Sequence, residues 1–132
     1  MFYRPDISDD HYQFFIAESD REAIINSSDL FMDGTFKLVR HFKDQYRQCF
    51  IISIRQSDDH GKIQKAIPVV MCLMKEKSEN AYLELFDRLI KFLGSKPKTK
   101  RVMLDFEKAL INAVLYTWQS VEVFGCSNHF YR

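Results

Sequence analysis

A mixed α/β fold is predicted by three observations. Three strand-like runs follow one another through short connections, at Leu30–Val39, Gln45–Gln56 and Ile63–Lys75. The hydrophobic period then changes from two to 3.6 residues in "SENAYLELFDRLIKFLG". Beyond that stretch, strand-like and helix-like segments alternate. The expected order is β-β-β-α-β-α-β: an antiparallel meander, followed by strands that return through helical crossovers and so run parallel. This makes a mixed five-stranded sheet with helices packed on its faces.

Each element has its own warrant. "HYQFFIA" is a short aromatic run with modest strand character. "ESDREAIINSSD" reads as a short helix with Ser19 or Asp20 at its N-cap. In "QYRQCFIISIRQ", β-branched and aromatic residues mark a strand, and "SDDHG" with Gly61 marks the turn after it. Pro68 cannot donate to a ladder, so it points to an edge or a bulge in the third strand. Tyr82, Leu85, Phe86, Leu89, Ile90 and Leu93 form one helical stripe, with Ser78 placed to cap its start and Gly94 its end. "RVMLDF" is a short buried strand, "EKALINAVLYTW" a second amphipathic helix and "SVEVFGC" the fifth strand.

The 132 residues suit one domain, spanning 1–132. A chain of this size can bury roughly two-thirds of its unfolded surface. Apolar runs fall well short of the ~18 residues that suggest a membrane span, and "MFYRPDISDD" lacks a signal-peptide layout. A soluble, intracellular protein is expected, without a membrane partner. Three cysteines make no disulfide framework, and Cys49 and Cys72 lie in apolar runs that favour buried thiols. A net charge of +1 gives no bulk case for nucleic acid. Locally, "SKPKTKR" gathers Lys96, Lys98, Lys100 and Arg101, and "RHFKDQYR" adds Arg40, Lys43 and Arg47. Such loops are either solvated surface or phosphate contacts.

Two carboxylates are out of place. Asp33 interrupts "LFMDGTFKLV", and Asp105 ends "RVMLDF". A charge inside a strand costs free energy unless it is solvated, paired or metal-bound. Parallel pairing of the two strands would set these acids side by side, and a divalent ion such as Mg²⁺ or Mn²⁺ would relieve their repulsion. The local alternatives are an Asx-type turn of Asp33 with Gly34 and an N-cap role for Asp105.

Four blocks then combine: "DGTFKLV" from Asp33, "IPVVMCLMKEKSENAYLELFDRL" from Ile67, "MLDFEKALINAV" from Met103 and "VEVFGCSNHFYR" from Val121. In order and spacing they resemble the catalytic domain of Mutator-like (MULE) transposases, from about residue 12 to 132. The resemblance implies a ribonuclease-H-like fold and DDE-type, metal-dependent DNA strand cleavage and transfer. In that family, acidic residues hold two Mg²⁺ ions. Asp33 matches the first acid and Asp105 the second, as catalytic and metal-binding residues. Cys126 and His129 match a Cys-x-x-His motif of unknown role. As zinc ligands they would be half a set, and His11, His41 and His60 are not placed to complete it. The third acid, a glutamate on a downstream helix, falls beyond Arg132, so the site as given is expected to be incomplete and inactive alone. Glu107 belongs to the "DFEKA" block and does not stand in for it. Implied with the family are DNA as partner, with Lys96, Lys98, Lys100 and Arg101 as candidate contacts, a homo-oligomer in a transposition complex, and the nucleus. The alternative is a non-catalytic transposon remnant, or a DNA-binding or interaction module that keeps the fold.

Overall fold

The computed structural model describes residues 1–36, 39, 45–57, 64–105 and 107–125. Its strands are β1 (Tyr12–Ile16), β2 (Asp29–Thr35), β3 (Gln48–Ser57), β4 (Gln64–Met74), β5 (Arg101–Leu104) and β6 (Glu122–Gly125). The helices are α1 (Arg21–Ile25), α2 (Glu79–Leu93) and α3 (Lys108–Thr117), with short 3₁₀ turns at Pro5–Ile7 and Glu18–Asp20. None is long and apolar enough to cross a membrane.

The strands form one mixed sheet in the order β1-β4-β3-β2-β5-β6. β1, β4, β3 and β2 pair antiparallel, while β5 and β6 continue parallel to β2. The meander and the parallel half are those the sequence predicts. Among the described residues the sheet has six strands, where the sequence predicts five. β1 is the aromatic run at residues 12–16, whose alternate residues Tyr12, Phe14 and Ile16 are buried. Phe15 on the opposite phase blurs that alternation in the sequence.

Pro68 sits at a bulge. The register passes from Ile52↔Val70 to Ser53↔Pro68, so Val69 is the extra residue. β1 pairs with β4 only at Val70–Met74, which leaves Pro68 beyond the end of β1. The missing N–H of Pro68 therefore interrupts no ladder on that side.

The period-3.6 stripe of α2 buries Tyr82, Leu85, Phe86, Leu89 and Leu93. Ser78 Oγ accepts the Ala81 N–H at 3.1 Å, and Gly94, at φ 81°, ends the helix. The start of α1 differs from expectation. Asp20 is already helical and makes no side-chain cap, because the 3₁₀ turn runs straight into the helix.

The core joins Leu30, Met32, Phe50, Ile52, Val70, Cys72, Val102 and Leu104 of the sheet to α1, α2 and α3. These strand residues share one face. Both crossovers move the same way across the sheet, and the general right-handed rule then puts α2 and α3 on one face, where they pack together. The expectation of helices on both faces is corrected accordingly: no described helix packs on the other. Cys49 and Cys72 are free, buried thiols. Burial pushes Cys49 up to about 11 and Cys72 well above its ordinary range.

Candidate functional site

β2 and β5 pair in parallel from Asp29↔Arg101 to Met32↔Leu104. One step further along this register stand Asp33 and Asp105. Their two strands thus bring together acids that are far apart in sequence, at the carboxyl end of the parallel pair. Both line a cavity of about 430 Å³ with Gly34, Gln48, Lys77, Tyr82 and Glu107. Asp105 is not the cap of the following helix, since α3 begins at Lys108 with Glu107 in the cap position.

The electrostatics of this cavity are unbalanced. Among the described lining residues, Asp33, Asp105 and Glu107 face a single ammonium, Lys77, which leaves a formal surplus of two negative charges there. Asp33 titrates above its ordinary value, first because burial desolvates it and next because Asp105 is close. The Gly34 backbone N–H offsets part of this. No ion pair among the described residues engages Asp33.

Behind the carboxylates lies a chain of hydrogen bonds. Gln48 Nε2 donates to Tyr82 Oη at 2.9 Å, and Tyr82 O–H donates to the Glu107 carboxylate at 2.9 Å to Oε2 and 3.1 Å to Oε1. Gln48 and Tyr82 are buried, so each polar group needs a partner, and this chain supplies them. Burial raises the Tyr82 phenol far above its usual range, which keeps it a donor. The chain also explains Gly34. An added Cβ there would lie 2.0 Å from Gln48 Oε1, so the strand has no side chain where Gln48 crosses it. Sequence reasoning missed Gln48, Tyr82 and Lys77 and set Glu107 aside; the glycine after Asp33 was the one visible signal of close approach.

The expected DNA contacts stand elsewhere. Lys96, Lys98 and Lys100 precede β5, and Arg101 begins it, at the opposite end of that strand from Asp105. Four residues at a strand's rise separate them by roughly 13 Å. Lys96 Nζ donates to the Thr117 carbonyl at 2.8 Å, and Arg101 Nε pairs with Asp29 at 2.5 Å. Two of the four cations are therefore already engaged within the fold. Cys126, His129, Arg40, Lys43, His41, His60 and Gly61 lie outside the described residues.

The donor set of the cavity suits a hard cation. Carboxylate oxygens are the ligands Mg²⁺ and Mn²⁺ favour, and the surplus charge and desolvated Asp33 are what a divalent ion would relieve. Among the described residues, however, no group of three or more His, Cys, Asp or Glu is arranged to hold a metal. The fit is that of a two-carboxylate site.

A mixed sheet with paired acids at the carboxyl ends of adjacent parallel strands defines a class: α/β domains that gather carboxylates in a cleft. The particular family follows from a family model, the MULE transposase domain, which matches residues 30–132. The match covers well over half of the chain, and the chain belongs to the MULE transposase domain family. Searches of curated proteins and of solved structures find no match.

Proposed function

We propose that this domain serves metal-dependent DNA strand cleavage and transfer of the DDE type, with Asp33 and Asp105 as two of its carboxylates. One observation carries the proposal. The fold sets these acids side by side in one cavity, with no ion pair to Asp33 among the described residues, and Asp33 titrates high, first from burial and next from Asp105. A transposase-related role follows from the family. The finer assignment, a ribonuclease-H-like fold, is supported by the five strands β2 to β6, three antiparallel and then two parallel, with crossover helices. DNA as substrate, a multi-copy transposition complex and a nuclear location belong to the same proposal.

In this reading Asp33 and Asp105 hold the divalent ions through their oxygens. When bound, such ions polarise the phosphoryl oxygens and activate the attacking oxygen of an in-line displacement. Lys77, at the rim of the cavity, is placed to meet a phosphate. Gln48 and Tyr82 fix Glu107 and so hold the start of α3 against α2 and the start of β3.

The test is isothermal titration of the chain with Mn²⁺, wild type beside Asp33→Asn and Asp105→Asn, with thermal unfolding to confirm the fold. Binding by the wild type that either substitution abolishes is expected. Equal binding by all three would overturn the assignment. The second reading, a non-catalytic module with the same fold, is favoured by the lack of a three-ligand group among the described residues. Absence of Mn²⁺ binding in a folded wild-type chain would select it.

A further inference from the structure

We propose that a trough leading out of the carboxylate cavity seats an unpaired stretch of a DNA strand, with Phe36 stacking on a base and Arg47 and Lys77 meeting the phosphates. The trough adjoins the cavity and shares Gly34, Gln48 and Lys77 with it, continuing past Phe36, Tyr46 and Arg47. It rests on the proposed function for the identity of its ligand but uses no residue that holds the metal.

Three features of the wall point to this occupant. Arg47 and Lys77 are exposed, and no ion pair among the described residues engages either one. By contrast Arg4, Arg21, Arg55, Arg88 and Arg101 are all paired with acids. Phe36 is 57% exposed and contacts no other described ring or guanidinium, whereas Phe14, Phe50 and Phe86 are fully buried. Free cations beside an exposed ring make a surface for a strand whose bases are accessible: the charges follow the backbone and the ring takes a base face. In a duplex the bases are already stacked on one another, and the ring would stay in water.

Position strengthens the case. Phe36 lies three residues beyond Asp33, within about 10 Å along an extended backbone. A base stacked there would be close to the phosphate that the carboxylate cavity faces. Lys77 lies on both walls, so one ammonium can serve the cavity and the trough.

Fluorescence anisotropy of the purified chain with a labelled single-stranded oligodeoxynucleotide, and with the same sequence as duplex, tests this in EDTA. The single strand is expected to bind several-fold tighter than the duplex. Phe36→Ala should weaken single-strand binding by about 5-fold or more, the lower end for one stacked base, and Phe36→Trp should retain it. Arg47→Gln with Lys77→Gln should flatten the dependence of log affinity on log salt by about 1.4, at ~0.7 per phosphate contact on a single strand. Phe36 is exposed, so Phe36→Ala and Phe36→Trp should unfold at the wild-type temperature. A duplex preference, single-strand binding untouched by Phe36→Ala, or no binding of either oligonucleotide would overturn the proposal. Because no metal is present, its failure is separable from that of the carboxylate site, which the Mn²⁺ titration decides.

Discussion

The two ends of the β2–β5 pair make opposite use of aspartate. At the amino end, Asp29 is 8% exposed and lies between Arg101 and Arg55, at 2.5 and 3.1 Å. The hydrogen bond from Arg101 is the main reason its carboxyl titrates below the ordinary value, with Arg55 adding to it against desolvation. At the carboxyl end, four residues along the same strand, Asp33 has another aspartate for a neighbour and titrates high. The same residue type on the same strand stabilises the fold at one end and strains it at the other. A charge held by partners within the chain is structural. A charge left facing its like marks a candidate functional site.

Substitutions can break or sharpen this contrast. Asp29→Ala should have the largest effect, a loss of about 2 kcal/mol in chemical denaturation at pH 7. Removing the acid leaves two arginines facing each other, and their partial exposure keeps the loss below that of a fully buried pair. Little change would mean that the ion pair at this end is ornamental. Gly34→Ala should follow, with a loss of about 1–2 kcal/mol, because the new Cβ displaces Gln48 and disrupts its bond to Tyr82. Gln48→Ala beside it should remove most of that difference in a double-mutant cycle.

Asp33→Asn should act in the reverse direction, stabilising the metal-free chain at pH 7 by about 0.5–1 kcal/mol, the scale for charges close to water. The pH dependence has opposite signs at the two ends. Asp33 has a raised folded pKa, so its penalty is present at neutral pH and is relieved as pH falls through that value, above 3.8. Asp29 has a lowered folded pKa, so its contribution is complete above 3.8 and is lost as pH falls through the lower value. Thermal melts in EDTA should show stability rising slightly on mild acidification and then falling. Asp33→Asn should remove the rise and keep the fall, and a rise that survives would place its source elsewhere. The smallest effect is expected for Arg55→Gln, since Arg101 still holds Asp29. Its loss should be well below that of Asp29→Ala.

Much of this architecture is legible in the sequence because its signals are local. The stripe from Tyr82 to Leu93, with Ser78 and Gly94 at its ends, specifies α2 from period and caps alone. The meander and the parallel half follow from connection length. The anomaly of Asp33 beside Gly34 could be seen before any fold was known, since a charge and a glycine both resist burial in a strand. The family resemblance, carried by blocks along the chain, is confirmed by the match over residues 30–132.

Other features depended on which elements pack together. The pairing of β1 with β4 rests on contacts between residues about 60 positions apart, and five residues carry too weak a pattern to announce it. Glu107 was discounted on its sequence block, yet it shares the cavity because α3 starts beside α2 and Tyr82 reaches it. Arg101 reads as a free cation in "KTKR", yet the parallel register sets it against Asp29. The sequence by itself determined the elements, their order and the two acids that do not belong in strands, because period, caps and strand propensity act over a few residues. Only the tertiary structure decided which charges are neutralised and which are left facing one another, because Coulomb energy and desolvation depend on distances through space that no local pattern encodes.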